Sequence, residues 1–211
     1  SSAETRDIME SANIHSGIFM NGQVVLYQGK RVYSSEIPTE TVKKFHQMVK
    51  EDGYGFTAYN DKEFYLVEST DGAKDAYGFI HTNPPALNAD FYIDNPINML
   101  LFICLPPAEE KYKVAFPNLD FLRNTPYSVD VISKGNSKAE GIKRFLEYLN
   151  QEDAETYAFG DGPNDIEMLQ AVTHPVAMGN AIPVLKEIAE FITTDNIDNG
   201  IINGLKHYDL I

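Results

Sequence analysis

The chain contains one run of polar residues whose types and spacing suit the binding of a cation. Gly160-Asp161-Gly162-Pro163-Asn164-Asp165 follows the apolar segment Thr156-Tyr157-Ala158-Phe159 and precedes the amphipathic segment Ile166-Glu167-Met168-Leu169. Two carboxylates and a carboxamide at the carboxyl end of an α/β strand can hold a hard cation such as Mg²⁺, which prefers oxygen ligands. Taken alone, the run is equally consistent with a solvated turn, because Asp, Asn and Gly are common turn residues.

A second candidate group precedes this run. The sequence Ser137-Lys138-Ala139-Glu140 predicts a helix that begins with a capping box, in which Ser137 caps the helix and Glu140 reaches back to the N–H of the cap. Lys138 then takes the first helical position, where its ammonium group and the free N–H groups of the first turn can face one phosphate. On its own, a lysine in a first turn is more often a solvated surface residue.

Composition limits the classes of partner. The 211 residues carry a formal net charge of -14, and the hydrophobic content of 43% is enough to form a core. Because a chain this acidic lacks a basic surface, we expect neither nucleic acid nor a membrane as partner. The single cysteine, Cys104, excludes an internal disulfide framework. Cys104 lies in the apolar segment 99–105, which predicts a buried strand, so we expect a packed thiol. This segment is too short to span a bilayer, and we expect a cytoplasmic location.

The first two thirds of the chain predict an α+β arrangement. A helix over 3–12 precedes a hairpin formed by Val24–Tyr27 and Arg31–Tyr33, and Thr39 is placed to cap a helix that buries Val42, Phe45 and Val49. Further helices are predicted over 73–80 and 109–116. The predicted strands, most of them joined by hairpins, cover residues 56–59, 64–67, 99–105, 119–123 and 128–132.

From Ser137 onward the pattern becomes a regular alternation of helices and strands. Helices are predicted over 138–149, 165–171, 182–190 and 201–207, and strands over 156–159, 176–178 and 191–193. Alternation of this kind is typical of a parallel sheet covered by helices.

Taken together, several stretches resemble the haloacid dehalogenase (HAD) superfamily of phosphotransferases, specifically the Cof-type sugar-phosphate phosphatases. The stretches that carry the resemblance are 129–142, 157–169, 176–181, 198–201 with 205–211, and Phe19-Met20-Asn21-Gly22. The resemblance covers essentially the whole chain, and the motifs are specific in combination.

The resemblance implies a role for each candidate residue. Lys138 matches the lysine that pairs with the phosphoryl group and the nucleophile, and Asp161 matches the aspartate that binds Mg²⁺. Asn164 matches the residue that contacts the substrate phosphate. Asp165 matches a second acidic position that supports the metal shell or orients Lys138. Asn21 lies where the family has an Asn-Gly that faces the site, although plain turn chemistry explains it equally well.

The resemblance also implies a two-domain fold and a reaction. We expect an α/β fold with a HAD-like Rossmannoid core over 1–32 and 128–211, and an inserted α+β cap domain over 33–127. The cap would close over the site and select a small phosphorylated metabolite. Its aromatic residues could stack on a sugar or a flavin-like ring, although packing of the cap sheet accounts better for most of them. These residues are Tyr54, Phe56, Tyr59, Phe64 and Tyr65.

One departure from the family pattern is large. The family begins with Asp-x-Asp-Gly-Thr, whose first Asp is the nucleophile, and neither this pattern nor the second motif occurs in the 211 residues. We therefore expect a truncated form in which Mg²⁺ binds weakly, aspartyl-phosphate chemistry fails, and an unpaired central sheet edge allows a homodimer. The alternative interpretation is a non-catalytic fragment that binds a phosphorylated metabolite or serves in regulation.

Overall fold

The structure is a computed structural model that describes residues 2–123 and 125–211. The chain forms two compact units, Ser1–Asn136 and Ser137–Ile211, and each is described by itself. These units group residues 1–32 with the middle section. The predicted core over 1–32 and 128–211 and the predicted cap over 33–127 stay predictions.

The first unit contains two antiparallel sheets. Its helices are α1 (Ser2–Ser11), α2 (Thr39–Asp52), α3 (Ala73–Phe79), α4 (Phe91–Asp94) and α5 (Glu109–Ala115). Its strands are β1 (Gly17–Phe19), β2 (Val24–Tyr27), β3 (Lys30–Ser34), β4 (Gly55–Tyr59), β5 (Phe64–Glu68), β6 (Met99–Ile103), β7 (Leu119–Arg123) and β8 (Ser128–Ser133). Strands β1, β2 and β3 pair in that order, and the five-stranded sheet has the order β5-β4-β6-β8-β7.

Side-chain alternation places the main core on one face of the five-stranded sheet. Successive residues of a strand point to opposite faces, and residues directly paired across two strands point to the same face. Phe56 of β4 is paired with Phe102 of β6, so both side chains lie on one face of the sheet. Phe45 of α2 packs against both rings, with centroids 5.4 Å from each. Tyr112 of α5 completes the cluster at 5.3 Å from Phe45. Helices α2 and α5 therefore pack on this face through apolar residues at helical spacing.

At most positions, the structure does not support the prediction that these aromatic residues stack on a sugar or a flavin-like ring. Phe56 and Tyr59 are buried. Tyr59 stacks on Phe64 with ring centroids 5.1 Å apart, and Tyr65 packs against the buried Phe91 at 4.8 Å. These rings fill the unit's interior, which agrees with the packing interpretation.

The second unit is the predicted α/β alternation. It contains α6 (Lys138–Leu149), β9 (Tyr157–Gly160), α7 (Ile166–Ala171), β10 (His174–Ala177), α8 (Pro183–Ile188), β11 (Phe191–Ile192) and α9 (Gly200–His207), with short 3-10 turns at Pro163–Asp165 and Asn196–Asp198. Its strands pair in parallel in the order β11-β10-β9. Strand β9 therefore lies at an edge of this sheet. The homodimer expected through an open edge stays a prediction.

In the first unit, one local expectation is wrong and one short helix was not predicted. Thr39 does not cap α2, because Pro38 holds the cap position and its carbonyl accepts the N–H groups of Thr41 and Val42 at 2.8 and 3.1 Å. The short helix α4 falls in a segment without a predicted element, since four residues are too few to show helical periodicity.

Among residues 2–123 and 125–211, no helix has the length and apolar character needed to cross a bilayer.

Candidate functional site

The polar run begins where strand β9 ends. Gly160 is the last residue of β9, and Asp161 follows at the carboxyl end of the sheet. A Cβ atom at Gly160 would lie 2.7 Å from the Cβ of Asp165, so this position requires a glycine for the turn to fold back closely. The chain then forms the 3-10 turn Pro163–Asp165 and enters α7.

Asp165 is the centre of the hydrogen-bond network at this turn. Its Oδ2 accepts the backbone N–H groups of Asp161 and Gly162, both at 3.0 Å. Its Oδ1 accepts a hydrogen bond from the Nζ of Lys138. The side chain of Asp165 is 7% exposed and that of Lys138 is 31% exposed, so the ion pair is partly shielded from water.

The pKa of Asp165 reflects these contacts. Burial raises the pKa of this carboxyl group, but the hydrogen bonds from Lys138 and from the N–H groups of Gly162 and Asp161 outweigh burial and hold the pKa below its ordinary value of 3.8. Asp165 is therefore ionised at neutral pH, and its charge fixes the Lys138 ammonium group at the end of β9. This contact is the one that the orientation of Lys138 requires, and both predicted roles of Asp165 stay predictions.

Helix α6 brings Lys138 to the turn. Ser137 is in extended conformation and its Oγ accepts the N–H of Glu140 at 3.3 Å, which is the predicted cap. The Glu140 carboxylate has a different neighbour from the one predicted, because it lies 3.6 Å from the guanidinium of Arg144 one turn later. Lys138 thus occupies the first helical position, as the sequence predicts.

Asn180 belongs to the site and received no role from the sequence. Its Nδ2 donates to Oδ2 of Asp161 at 2.9 Å, and its Oδ1 accepts the N–H of Asn196 at 3.3 Å. Asn180 follows β10, which pairs in parallel with β9 and ends beside it. Its position after a predicted strand could have indicated this role, because residues that follow neighbouring parallel strands meet at the same edge of a sheet.

The remaining two candidates lie in different places. Asn164 is half-buried within the 3-10 turn between Asp161 and Asp165. Asn21 belongs to the first unit, where its Nδ2 donates to Oδ2 of Asp130 at 3.1 Å. The predicted contacts of Asn164 and Asn21 with substrate stay predictions.

The residues at the turn partly fit a magnesium ion. Asp161 is exposed and offers a hard oxygen ligand, with one carboxylate oxygen already held by Asn180. Within the described part of the chain, no three His, Cys, Asp or Glu side chains converge as a metal site. An ion at Asp161 would therefore need water or substrate phosphate as further ligands, which is common for Mg²⁺.

Comparison with known proteins gives relatives over nearly the full chain. YkrA of Bacillus subtilis (strain 168), whose name marks it as a candidate phosphatase, is 36% identical over 208 residues, which cover 98% of this chain and 80% of YkrA. A solved structure from Geobacillus kaustophilus HTA426 has a TM-score of 0.91 at 30% identity, covering 100% of this chain and 83% of that one.

Further comparisons agree on the family. The solved structure of BT4131, titled a HAD subclass IIB sugar phosphatase, has a TM-score of 0.83 at 25% identity. The matched region covers 98% of this chain and 80% of the BT4131 chain. The sequence matches the family of haloacid dehalogenase-like hydrolases over residues 1–205. The α/β fold and the ion pair of Lys138 with Asp165 agree with this match. The chain therefore belongs to the haloacid dehalogenase-like hydrolases.

Proposed function

We propose that this chain serves a magnesium-dependent phosphatase reaction on small phosphorylated metabolites, sugar phosphates among them. The observation that supports it best is the Lys138–Asp165 pair. A buried carboxylate with three hydrogen-bond donors holds an ammonium group beside the carboxyl end of β9. A cation fixed in this way can neutralise phosphoryl oxygens, and such neutralisation is the main work of phosphoryl transfer.

Each residue of the turn has a part in this proposal. Lys138 binds the phosphoryl oxygens, Asp165 orients Lys138, and Asn164 donates to the phosphate. Asp161 would hold Mg²⁺, with Asn180 fixing the direction of its carboxylate. When bound, the ion supplies further neutralisation of the phosphoryl charge.

These 211 residues do not contain the motif that supplies the nucleophile. Reaction through an aspartyl-phosphate needs a carboxylate in line with phosphorus, and no Asp-x-Asp-Gly-Thr pattern occurs in the sequence. We therefore propose that a polypeptide of these residues alone turns over sugar phosphates several orders of magnitude more slowly than one extended upstream with its own coding sequence.

The proposal is tested first by binding. Titration of the 211-residue chain with inorganic phosphate, followed by ¹H–¹⁵N NMR, should shift the amide signals of Asp161, Gly162 and Asn164. Lys138→Ala should weaken this binding by roughly tenfold, since it removes a charge-assisted hydrogen bond. Lys143→Ala is the matched control, because Lys143 is an exposed lysine on the same helix. Phosphate shifts that are equal in both variants would refute the role of Lys138.

Activity is tested second, on the extended chain. Hydrolysis of p-nitrophenyl phosphate should require Mg²⁺ and should fall by about 10²- to 10³-fold in Lys138→Ala, with little change in Lys143→Ala. Phosphate binding without Mg²⁺-dependent hydrolysis in the extended chain would instead identify a binding protein, which the named relatives do not favour.

A further inference from the structure

The first unit contains a concave site at one end of its five-stranded sheet. The cleft has a volume of about 680 Å³, which lies in the usual range for small-molecule sites. It is formed where β6 ends at Ile103, where β4 begins after Tyr54, and where Tyr127 leads into β8. All the residues that line the cleft belong to the first unit, whereas Lys138 and Asp165 belong to the second.

The walls of the cleft are mainly apolar and aromatic. They include Ile103, Pro106 and Pro107, together with the rings of Tyr54 and Tyr127. The Tyr54 ring packs edge-on against the buried Phe102 at 5.6 Å, and the Tyr127 ring packs against Phe79 at 5.8 Å. Because the buried Phe102 holds the Tyr54 ring, this part of the aromatic surface is preformed.

The charges in the cleft sum to a negative value. The only lysine that lines it within the described residues, Lys111, donates to both carboxylate oxygens of Asp52 at 2.8 Å, and this carboxylate also accepts the hydroxyl of Tyr112 at 3.0 Å. The hydrogen bond from Lys111 lowers the pKa of Asp52 despite burial, so this carboxylate is charged and forms an ion pair with Lys111. Asp75 supplies a further carboxylate, for which the described part of the chain shows no hydrogen bond or ion pair.

The thiol in the cleft wall is not a nucleophile. Burial raises the pKa of Cys104 to about 11, and its sulfur accepts a hydrogen bond from Arg123 at 3.4 Å. The thiol is therefore protonated at neutral pH, as its predicted role in packing requires.

We propose that this cleft binds a small aromatic amine in its cationic form. The ring would pack on the apolar wall that Tyr54 and Tyr127 provide, and the ammonium group would pair with Asp75 and face the tyrosine rings. Attraction of a cation to a tyrosine ring adds to this pairing. The net charge of -14 on the whole chain favours a cationic ligand further.

Two ligands with the same ring and opposite charge test the proposal. Calorimetric titration of the 211-residue chain near neutral pH should show saturable binding of tryptamine at one site. Indole-3-propionate, the anionic counterpart, should bind at least about tenfold more weakly. Absence of saturable tryptamine binding up to about 10 mM, or equal binding of both ligands, would overturn the proposal.

Variants then place the ligand in the cleft. Asp75→Asn should weaken tryptamine binding by about three- to tenfold, whereas Asp71→Asn, which changes a nearby exposed carboxylate outside the cleft lining, should not. Tyr127→Leu should weaken binding by a similar factor, and Tyr127→Phe, which keeps the ring, should leave it unchanged. Thermal melts of each variant confirm folding. Equal losses in Asp71→Asn and Asp75→Asn would show a diffuse surface charge effect and refute a built site.

Discussion

Replacing Asp165 with asparagine tests the network that holds Lys138. Asparagine has nearly the same shape, and its carbonyl oxygen can still accept the N–H groups of Asp161 and Gly162. Its amide group, however, would face the Lys138 ammonium with a donor instead of an acceptor. The change therefore removes one charge-assisted hydrogen bond and leaves a cation that is 31% exposed without its partner.

The cost follows from this geometry. A hydrogen bond to a charged group contributes about 1.5–3 kcal/mol, and breaking a fully buried ion pair costs about 3–5 kcal/mol. Because Lys138 keeps some access to water, we expect Asp165→Asn to lower the free energy of unfolding by about 2 kcal/mol. For a chain of this size that corresponds to a fall of roughly 4–8 °C in Tm.

The assay is urea denaturation followed by circular dichroism, with Asp153→Asn as the matched control. Asp153 is an exposed carboxylate in the same unit, and its replacement should change stability by less than about 0.5 kcal/mol. If Asp165→Asn is as stable as Asp153→Asn, the network does not stabilise the turn and the reasoning fails.

The same variant has a defined pH dependence. The folded pKa of Asp165 lies below its ordinary value of 3.8, so its contribution to stability is present above that value and is lost as the pH falls through the folded pKa. The stability difference between the native chain and Asp165→Asn should therefore be constant from about pH 6 to 8 and should shrink below about pH 4. A difference that persists undiminished in acid would show that the charge of Asp165 is not its source.

Other substitutions test the packing of each unit by the same denaturation assay. Phe45→Ala should cost about 3–5 kcal/mol, because the fully buried ring contacts four others and its loss leaves a cavity; a cost below about 1 kcal/mol would contradict this core. Gly200→Ala should destabilise by more than about 1 kcal/mol, since the new Cβ would lie 2.2 Å from the carbonyl oxygen of Thr194. Gly78→Ala, inside α3 with nothing within 4 Å, should instead stabilise by about 0.5–1 kcal/mol, and the same sign for both glycines would refute the contact argument.

Much of the second unit could be predicted because its signals are local. The bounds of α6 follow from Ser137 as cap and from apolar residues at helical spacing, and the structure gives the same helix. The turn after β9 was predictable for the same reason, since Gly160 and the acidic residues that follow it are adjacent in sequence. Elsewhere, element bounds differ by only one or two residues, as expected when helix and strand ends fray.

Contacts between distant residues could not be predicted in this way. The hydrogen bond from Asn21 to Asp130 joins residues 109 positions apart, and that from Asn180 to Asp161 joins two loops after neighbouring strands. Both depend on which strands lie side by side, and apolar periodicity gives the type of an element without its neighbours. The role of Asn180 therefore required the pairing of β9 with β10.

The two carboxylates of the turn, Asp161 and Asp165, have different environments. Asp165 accepts three hydrogen bonds, which use most of the roughly four acceptor positions of a carboxylate. A metal ion bound to Asp165 would have to displace Lys138 or a backbone N–H group and would meet the repulsion of the ammonium. Asp161 is exposed, and Asn180 orients its carboxylate without neutralising it. Under the proposed function, a cation at this turn would therefore bind Asp161 and leave Asp165 to hold the lysine. Two positive charges, each held by its own carboxylate, would then face one phosphate.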